Sequence, residues 1–405
     1  MTDRTRAALS AASLAAALSL LFARGLPAQP TTSPVTLEIG YVTFEGDRRY
    51  EPVRGSERMV LATRDRPFPA AELALAEAAP IARVIHRDFA LQQITAGSED
   101  ALAPAMESAR QRGIALFVLD LPAVAIERLV PAFHGKSVLM FNTTAEEDGL
   151  RRGLCMPELV HTMPSQAMLS DALAQYLVSR KWPAVLLLQG PQEPDRVWAD
   201  AFAHSAAKFG ARLVDRRLFK LGNDPRQRDA NNVALLTATD RDYDSVVVAD
   251  SDGEFARMLP YRTARPRPVL GATGLVPEAW DRAWDRYGAP QLTNRFLAQA
   301  HRPMTGRDWS VWIATKMIVQ AALRSKSADF AQLRDELLSD AGYDGVKGLA
   351  VGVRPWDHQL RQAVLLATPD AVIAQAPLPG FLHATNELDT LGDDRPETPC
   401  HLDGG

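Results

Sequence analysis

The sequence predicts an α/β protein in which two doubly wound parallel-sheet lobes are joined by a multi-strand hinge. Three observations lead there. Strand-like and helix-like stretches alternate in two successive runs, the rhythm of parallel sheets covered by helices. A polar stretch carrying a cysteine, Val138–Ser170, separates the runs. The chain has 405 residues, enough for two ordinary cores.

Composition narrows the class. Hydrophobic residues are 46% and charged residues 23%, the balance of a globular protein, and the formal net charge is −4. No basic field exists to hold nucleic acid or an anionic membrane. Residues 1–28 read as a signal peptide: Arg4 and Arg6, the uncharged run Ala7–Phe22, then a small residue at Ala28. That run is too short to span a bilayer. The mature chain is therefore expected in the periplasm without a membrane anchor. In an oxidising compartment an even cysteine count points to a Cys155–Cys400 disulfide, with two free thiols as the alternative.

In order, Leu37–Thr43 alternates as a first strand, followed by the charged loop Glu45–Tyr50. The Arg- and Pro-rich segment to Pro69 has no clear period. Ala70–Ala79 is rich in helix formers, and Pro80 is expected to stop or kink it. Asp88–Thr95 is a strand, and Ser98 opens a helix closed by Gly113. Ile114–Leu119 is a continuous apolar strand of the kind covered on both faces. A helix follows Asp120-Leu121-Pro122, and Ser137–Phe141 ends the first run. Leu159–Met163 is expected as the first hinge strand. The second run has strands at Ala184–Leu188, Arg212–Phe219, Asp244–Ala249 and Pro268–Leu270. Helices are expected at Ser165–Lys181, Pro194–Phe209, Arg226–Thr239, Asp252–Leu259 and Pro277–Tyr287, the last bearing Trp280 and Trp284 on one face. Amphipathic helices at Arg307–Arg324 and Ala328–Leu338 come next, then strands at Leu349–Val353, Gln359–Ala367 and Ala371–Gln375. The turn-prone trio Thr368-Pro369-Asp370 makes the last two a hairpin.

The order of these pieces resembles type I periplasmic binding proteins of the leucine/isoleucine/valine branch, the substrate-binding subunits of ABC transporters. The residues that carry the resemblance are Leu159–Ser165, Leu270–Leu275, Trp309–Thr315 and Gly348–Trp356, and it covers most of residues 35–380. The turn Leu154-Cys155-Met156-Pro157 and the tail Arg395–Cys400 are similar to a narrower group associated with pyrroloquinoline-quinone (PQQ)-dependent alcohol dehydrogenase systems. The resemblance implies a first lobe of residues 35–150 plus 290–380, a second lobe of 160–280, and a tail of 385–405. It also implies a permease partner. Amino-acid binders of this family carry hydroxyls in the loop that here reads Asp120-Leu121-Pro122-Ala123, so a ligand carboxylate is not expected there.

Ligands of open α/β sheets bind beyond the carboxyl ends of the strands. That rule selects Glu45, Asp47, Tyr50, Asp120, Asn142 and Thr143 in the first lobe, and Gln189, Asp250, Asp252 and Thr273 in the second. The carboxylates would suit an amine or a metal ion with oxygen ligands. Asp120 and Asp252 fit equally as helix N-caps, and Tyr41 and Tyr50 as wall packing or as a stacking surface for a flat ligand. No nucleophile elbow, zinc-protease motif or dinucleotide fingerprint is present, so neither an enzyme nor a cofactor is expected. The expected function is capture of a small solute and its delivery to an ABC transporter, linked to PQQ-dependent alcohol oxidation. The alternative is a periplasmic sensor or accessory protein of the same fold.

Overall fold

The computed structural model describes residues 35–55, 59–84, 86–222 and 225–402. The expected signal peptide lies outside them. Among the described residues no helix is long and apolar enough to cross a membrane.

The first lobe is built on β1 (Val35–Phe44). A small hairpin, β2 (Val53–Arg54) and β3 (Val60–Ala62), leads to α1 (Phe68–Val84). Then come β4 (Arg87–Ala96), α2 (Leu102–Gln111), β5 (Leu116–Leu119), α3 (Ala123–Leu129), β6 (Leu139–Asn142) and β7 (Leu159–His161). The strands pair in the order β4-β1-β5-β6-β7, all parallel. Every residue of β5 and β6 is buried, which is why those strands read as continuous apolar runs. The chain winds one way from β1 to β4 and the other way from β5 onward. The switch point therefore lies between β1 and β5.

The second lobe repeats the plan with α4 (Gln166–Ser179), β8 (Ala184–Gln189), α5 (Glu193–Phe209), β9 (Arg212–Leu218), α6 (Val233–Thr237), β10 (Ser245–Ala249), α7 (Leu259–Arg262) and β11 (Val269–Gly271). Its sheet is β11-β10-β8-β9, again parallel, with its switch point between β8 and β10.

The chain crosses between lobes three times. The first crossing runs from the end of β6 through β7 to α4. The second runs through β12 (Val276–Glu278) to α8 (Ala289–Ala300), α9 (Gly306–Ser325) and α10 (Phe330–Leu338), which pack with the first lobe. The third passes β13 (Tyr343–Asp344), β14 (Ala350–Val353) and β15 (Leu360–Arg361) and enters the hairpin β16 (Val364–Thr368) and β17 (Ala371–Ala376). That hairpin is antiparallel, as its turn sequence implied. Val364, Leu366, Ala376 and the tail's Leu391 are buried with Met168, Leu169 and Leu173 of α4.

A side-chain network binds the crossings. Gln359 donates to the carbonyls of His161 and Met163 at 3.1 Å each, and accepts from Arg151 Nε at 2.9 Å. Gln362 donates to the Thr162 carbonyl at 2.7 Å, and Thr162 donates to the Ser310 carbonyl at 2.9 Å. Cys155 and Cys400 are disulfide-bonded across 245 residues of sequence.

Two expected helices are corrected, one of Pro80's two expected effects does not occur, and one helix was not foreseen. Residues 277–287 form β12 and turns rather than a helix, yet Trp280 and Trp284 are buried at 1% and 5% exposure. Core packing placed these tryptophans, and the helical spacing was incidental. The helix at 289–300 had no expectation attached, although Ala289, Leu292 and Phe296 give it a buried stripe behind the left-handed Gly288. Pro80 lies inside α1 and does not end it. Finally, the helix expected at 226–239 is a 3-10 stretch, Pro225–Asn231, followed by the five residues of α6.

Candidate functional site

The switch point of the first lobe is occupied by the chain itself. Asp120 follows β5 and is fully buried. Arg49 Nη2 approaches one carboxylate oxygen at 3.1 Å and Arg66 Nη1 the other at 2.9 Å. The hydroxyls of Tyr50 and Tyr41 donate to the same carboxylate. Burial first, then the charge of Asp120, push both phenols up, so both remain donors. Tyr41 is fully buried and packs edge-on against Phe68 at 5.0 Å, which makes it wall packing. Asp47 lies 2.7 Å from Arg49, whose Nη1 donates to Thr144 Oγ1 at 2.9 Å. Two arginines thus answer two aspartates, and little free negative charge is left here for a cation.

The other sequence-selected residues have equally local partners. Asn142 donates to the Ala145 carbonyl at 2.8 Å, and Thr143 to the Leu119 carbonyl at 2.9 Å. Gln189 accepts from Arg216 at 2.7 Å. Asp250 accepts from the Ala256 amide at 2.8 Å, while the helix after Asp120 has Pro122 at its N-cap, so Asp120 does not take the capping role expected as one reading of it. Asp252 accepts from Gln192 at 3.2 Å. Thr273 is half-buried and Glu45 exposed. Among the described residues no three His, Cys, Asp or Glu side chains converge as a metal site requires.

A different set of charges gathers where the crossings meet. Arg307 is the second residue of α9, Glu278 ends β12, Glu146 lies in the first crossing, and Arg64 follows β3. A Cβ on Gly306 would stand 3.6 Å from a Glu278 carboxyl oxygen, which places that carboxyl at the amino end of α9. The charge of Arg307 acts on Tyr50, Arg64, Glu146 and Glu278 together. Burial, and then the charge of Glu146, push Glu278 up to about 8. Arg307 Nη1 is buried without a hydrogen-bond partner. The arm carrying Arg64 reaches the second lobe: Arg64 Nη2 is 3.5 Å from the Ser251 carbonyl, and a Cβ on Gly55 would stand 3.3 Å from the Glu254 carboxyl.

Sequence reading selected none of these four, because they come from a segment without period, a crossing loop, a misassigned helix and a helix start. The Arg-rich composition of 48–66 was the available signal. A separate groove of about 390 Å³ lies on the flank between the first crossing and α5, lined in part by Asp148, Arg152, Gln166, Arg196, Asp200 and His204.

No family model matches the sequence, and no curated protein sequence matches it. Solved structures do resemble it. A branched chain amino acid ABC transporter periplasmic ligand-binding protein from Burkholderia xenovorans aligns with TM-score 0.68 at 12% identity, over 91% of this chain and 100% of that one. A solute binding protein of an ABC transporter from Rhodopseudomonas palustris, in complex with 3,4-dihydroxybenzoic acid, aligns with TM-score 0.60 at 12% identity, over 84% and 94%. A branched-chain amino acid transporter substrate binding protein from Streptococcus pneumoniae, in complex with isoleucine, gives 0.59 at 16%, over 84% and 98%. The chain has the type I periplasmic-binding-protein fold. The Arg64, Glu146, Glu278 and Arg307 cluster stands beside the crossings that join its two sheets.

Proposed function

We propose that the protein captures a small solute between its lobes in the periplasm and presents the closed form to an ABC transporter permease. One observation carries the reading: two separate parallel sheets are joined by three crossings that hydrogen-bond to one another, the frame of a hinge. A ligand touching both lobes stabilises the closed arrangement over the open one, a population shift about a hinge. The structural neighbours are binding proteins, two of them carrying a small organic ligand in their solved structures, which supports the same use of the cleft here. The link to PQQ-dependent alcohol oxidation rests on the sequence resemblance at Leu154–Pro157 and Arg395–Cys400.

Native mass spectrometry of the mature protein purified from its own periplasm, followed by calorimetry with the molecule released, is the direct check. One small molecule bound per chain, left chemically unchanged on incubation, is the expected result. Conversion of that molecule to a product would replace binding with enzymology, and co-purification with a dehydrogenase in place of a permease would favour the accessory role.

A further inference from the structure

Among the described residues, the hinge-end charges do not close on one another as ion pairs. Arg64 and Arg307 are held close enough that the second lowers the affinity of the first for its proton, after burial itself. Among the described residues, neither guanidinium makes an ion pair with Glu146 or Glu278, although Arg307 acts on both. Arg307 Nη1 is left without an acceptor, the costly state of a buried donor. Two neighbouring guanidiniums with an orphan donor are relieved together by one anion placed between them.

The carboxyl groups do not oppose this. Glu278, pushed up to about 8 chiefly by burial, is mostly a neutral acid at pH 7 and can donate. Burial raises Glu146 as well. Resting on the solute-capture reading of the cleft, we propose that this cluster is an anion subsite: a small organic carboxylate bridges Arg307 and Arg64, and Glu278 donates a hydrogen bond to it. A phosphate dianion fits less well, because its second charge would face the Asp252 carboxylate, which acts on Arg64.

The test uses the mature full chain with benzoate, glutarate and malate as probes, against benzylamine, putrescine and inorganic phosphate, by thermal shift and calorimetry. At least one carboxylate should raise the melting temperature, and the amines should not. Arg307→Gln should weaken that carboxylate by about tenfold or more, the loss of a charge-assisted pair, with partial recovery in Arg307→Lys. Circular dichroism of both variants separates lost binding from lost folding. Affinity should hold below pH 8 and fall above it as Glu278 ionises. Glu146, Asp281 and Arg307 are the charged groups that act on it, and Arg307 alone of these is positive. Glu278→Gln should remove that pH step while retaining binding. The proposal is overturned if no carboxylate binds, if amines or phosphate bind in their place, or if folded Arg307→Gln binds carboxylate as well as wild type. A co-purified molecule retained by Arg307→Gln would sink the subsite and leave solute capture standing. Failure of every probe to bind, with no co-purified molecule either, would count against both.

Discussion

Asp120 shows what one residue can and cannot disclose. Its place after an apolar strand was legible, because strand ends in parallel sheets project into a crevice. Its partners were not, since Arg49 and Arg66 lie 71 and 54 residues away and nothing local encodes that meeting. Removing one partner of a buried ion pair strands the other, so Asp120→Asn should cost about 3 kcal/mol of stability. Arg66 is 30% exposed and solvent screens part of that loss. Asp252→Asn, where one exposed Gln192 contact is at stake, should stay within about 0.5 kcal/mol. Urea midpoints of the two variants decide it, and equal losses would refute the buried-pair account. Gly274 offers a second contrast. Its φ is +74°, and a Cβ there would stand 2.1 Å from the Val269 carbonyl oxygen, a backbone atom that cannot yield. Gly135 has a similar φ of +72° with nothing nearby. Gly135→Ala should cost about 1 kcal/mol for conformation alone, and Gly274→Ala clearly more. The spacing of Gly271–Gly274 is too short for a dinucleotide fingerprint. These residues make the turn between β11 and β12, and the close Val269 carbonyl is the steric reason for the last glycine.

At the scale of elements, legibility followed burial. Strands covered on both faces announce themselves as Phe117-Val118-Leu119 or Val246-Val247-Val248, all fully buried. Crossing strands of two or three residues have no period to read, and β12 was hidden behind two tryptophans at helical spacing. The tail was legible through its cysteine, and the structure adds how it is held. Asp389 bonds Arg354 at 2.9 Å and Arg361 at 2.8 Å, Asp393 pairs with Arg152, and the Gly392 amide donates to Asp171 at 2.8 Å. The disulfide is therefore one of several attachments. Chain-entropy reasoning gives about 5 kcal/mol as its ceiling for so long a loop. Cys400→Ser should lower the melting temperature by several degrees and open the segment after Gly392 to a glutamyl endopeptidase at Glu397, while Leu388 and Leu391 stay packed. Full release of residues 385–402 on reduction would show that the bridge alone holds the tail.

For the whole molecule, opposing titrations in the hinge region set a stability optimum. His161 and His358 are buried in the crossings and bonded backbone to backbone at 3.0 Å. Burial first, then the charge of Arg151, lowers His161 well below its usual value, and burial lowers His358 to about 4. A histidine depressed on folding leaves the unfolded chain binding more protons between pH 6.5 and 4, so stability falls on acidification through that window. Glu278 behaves oppositely. Raised to about 8, it holds a proton that the unfolded chain releases near 4.5, so stability falls as pH rises from 4.5 to 8 and levels off beyond. Asp171, raised mainly by burial to about 6, adds to that loss at its lower end. A tenfold change in proton affinity is worth about 1.4 kcal/mol, so each limb amounts to a few kcal/mol before solvent screening. Melting temperature measured from pH 4 to 9 should therefore peak near pH 6. Glu278→Gln should flatten the alkaline limb and leave the acid one, and His358→Asn should do the reverse. A wild-type curve that climbs steadily to pH 9, or a single substitution that flattens both limbs, would mean that these buried groups do not govern the balance.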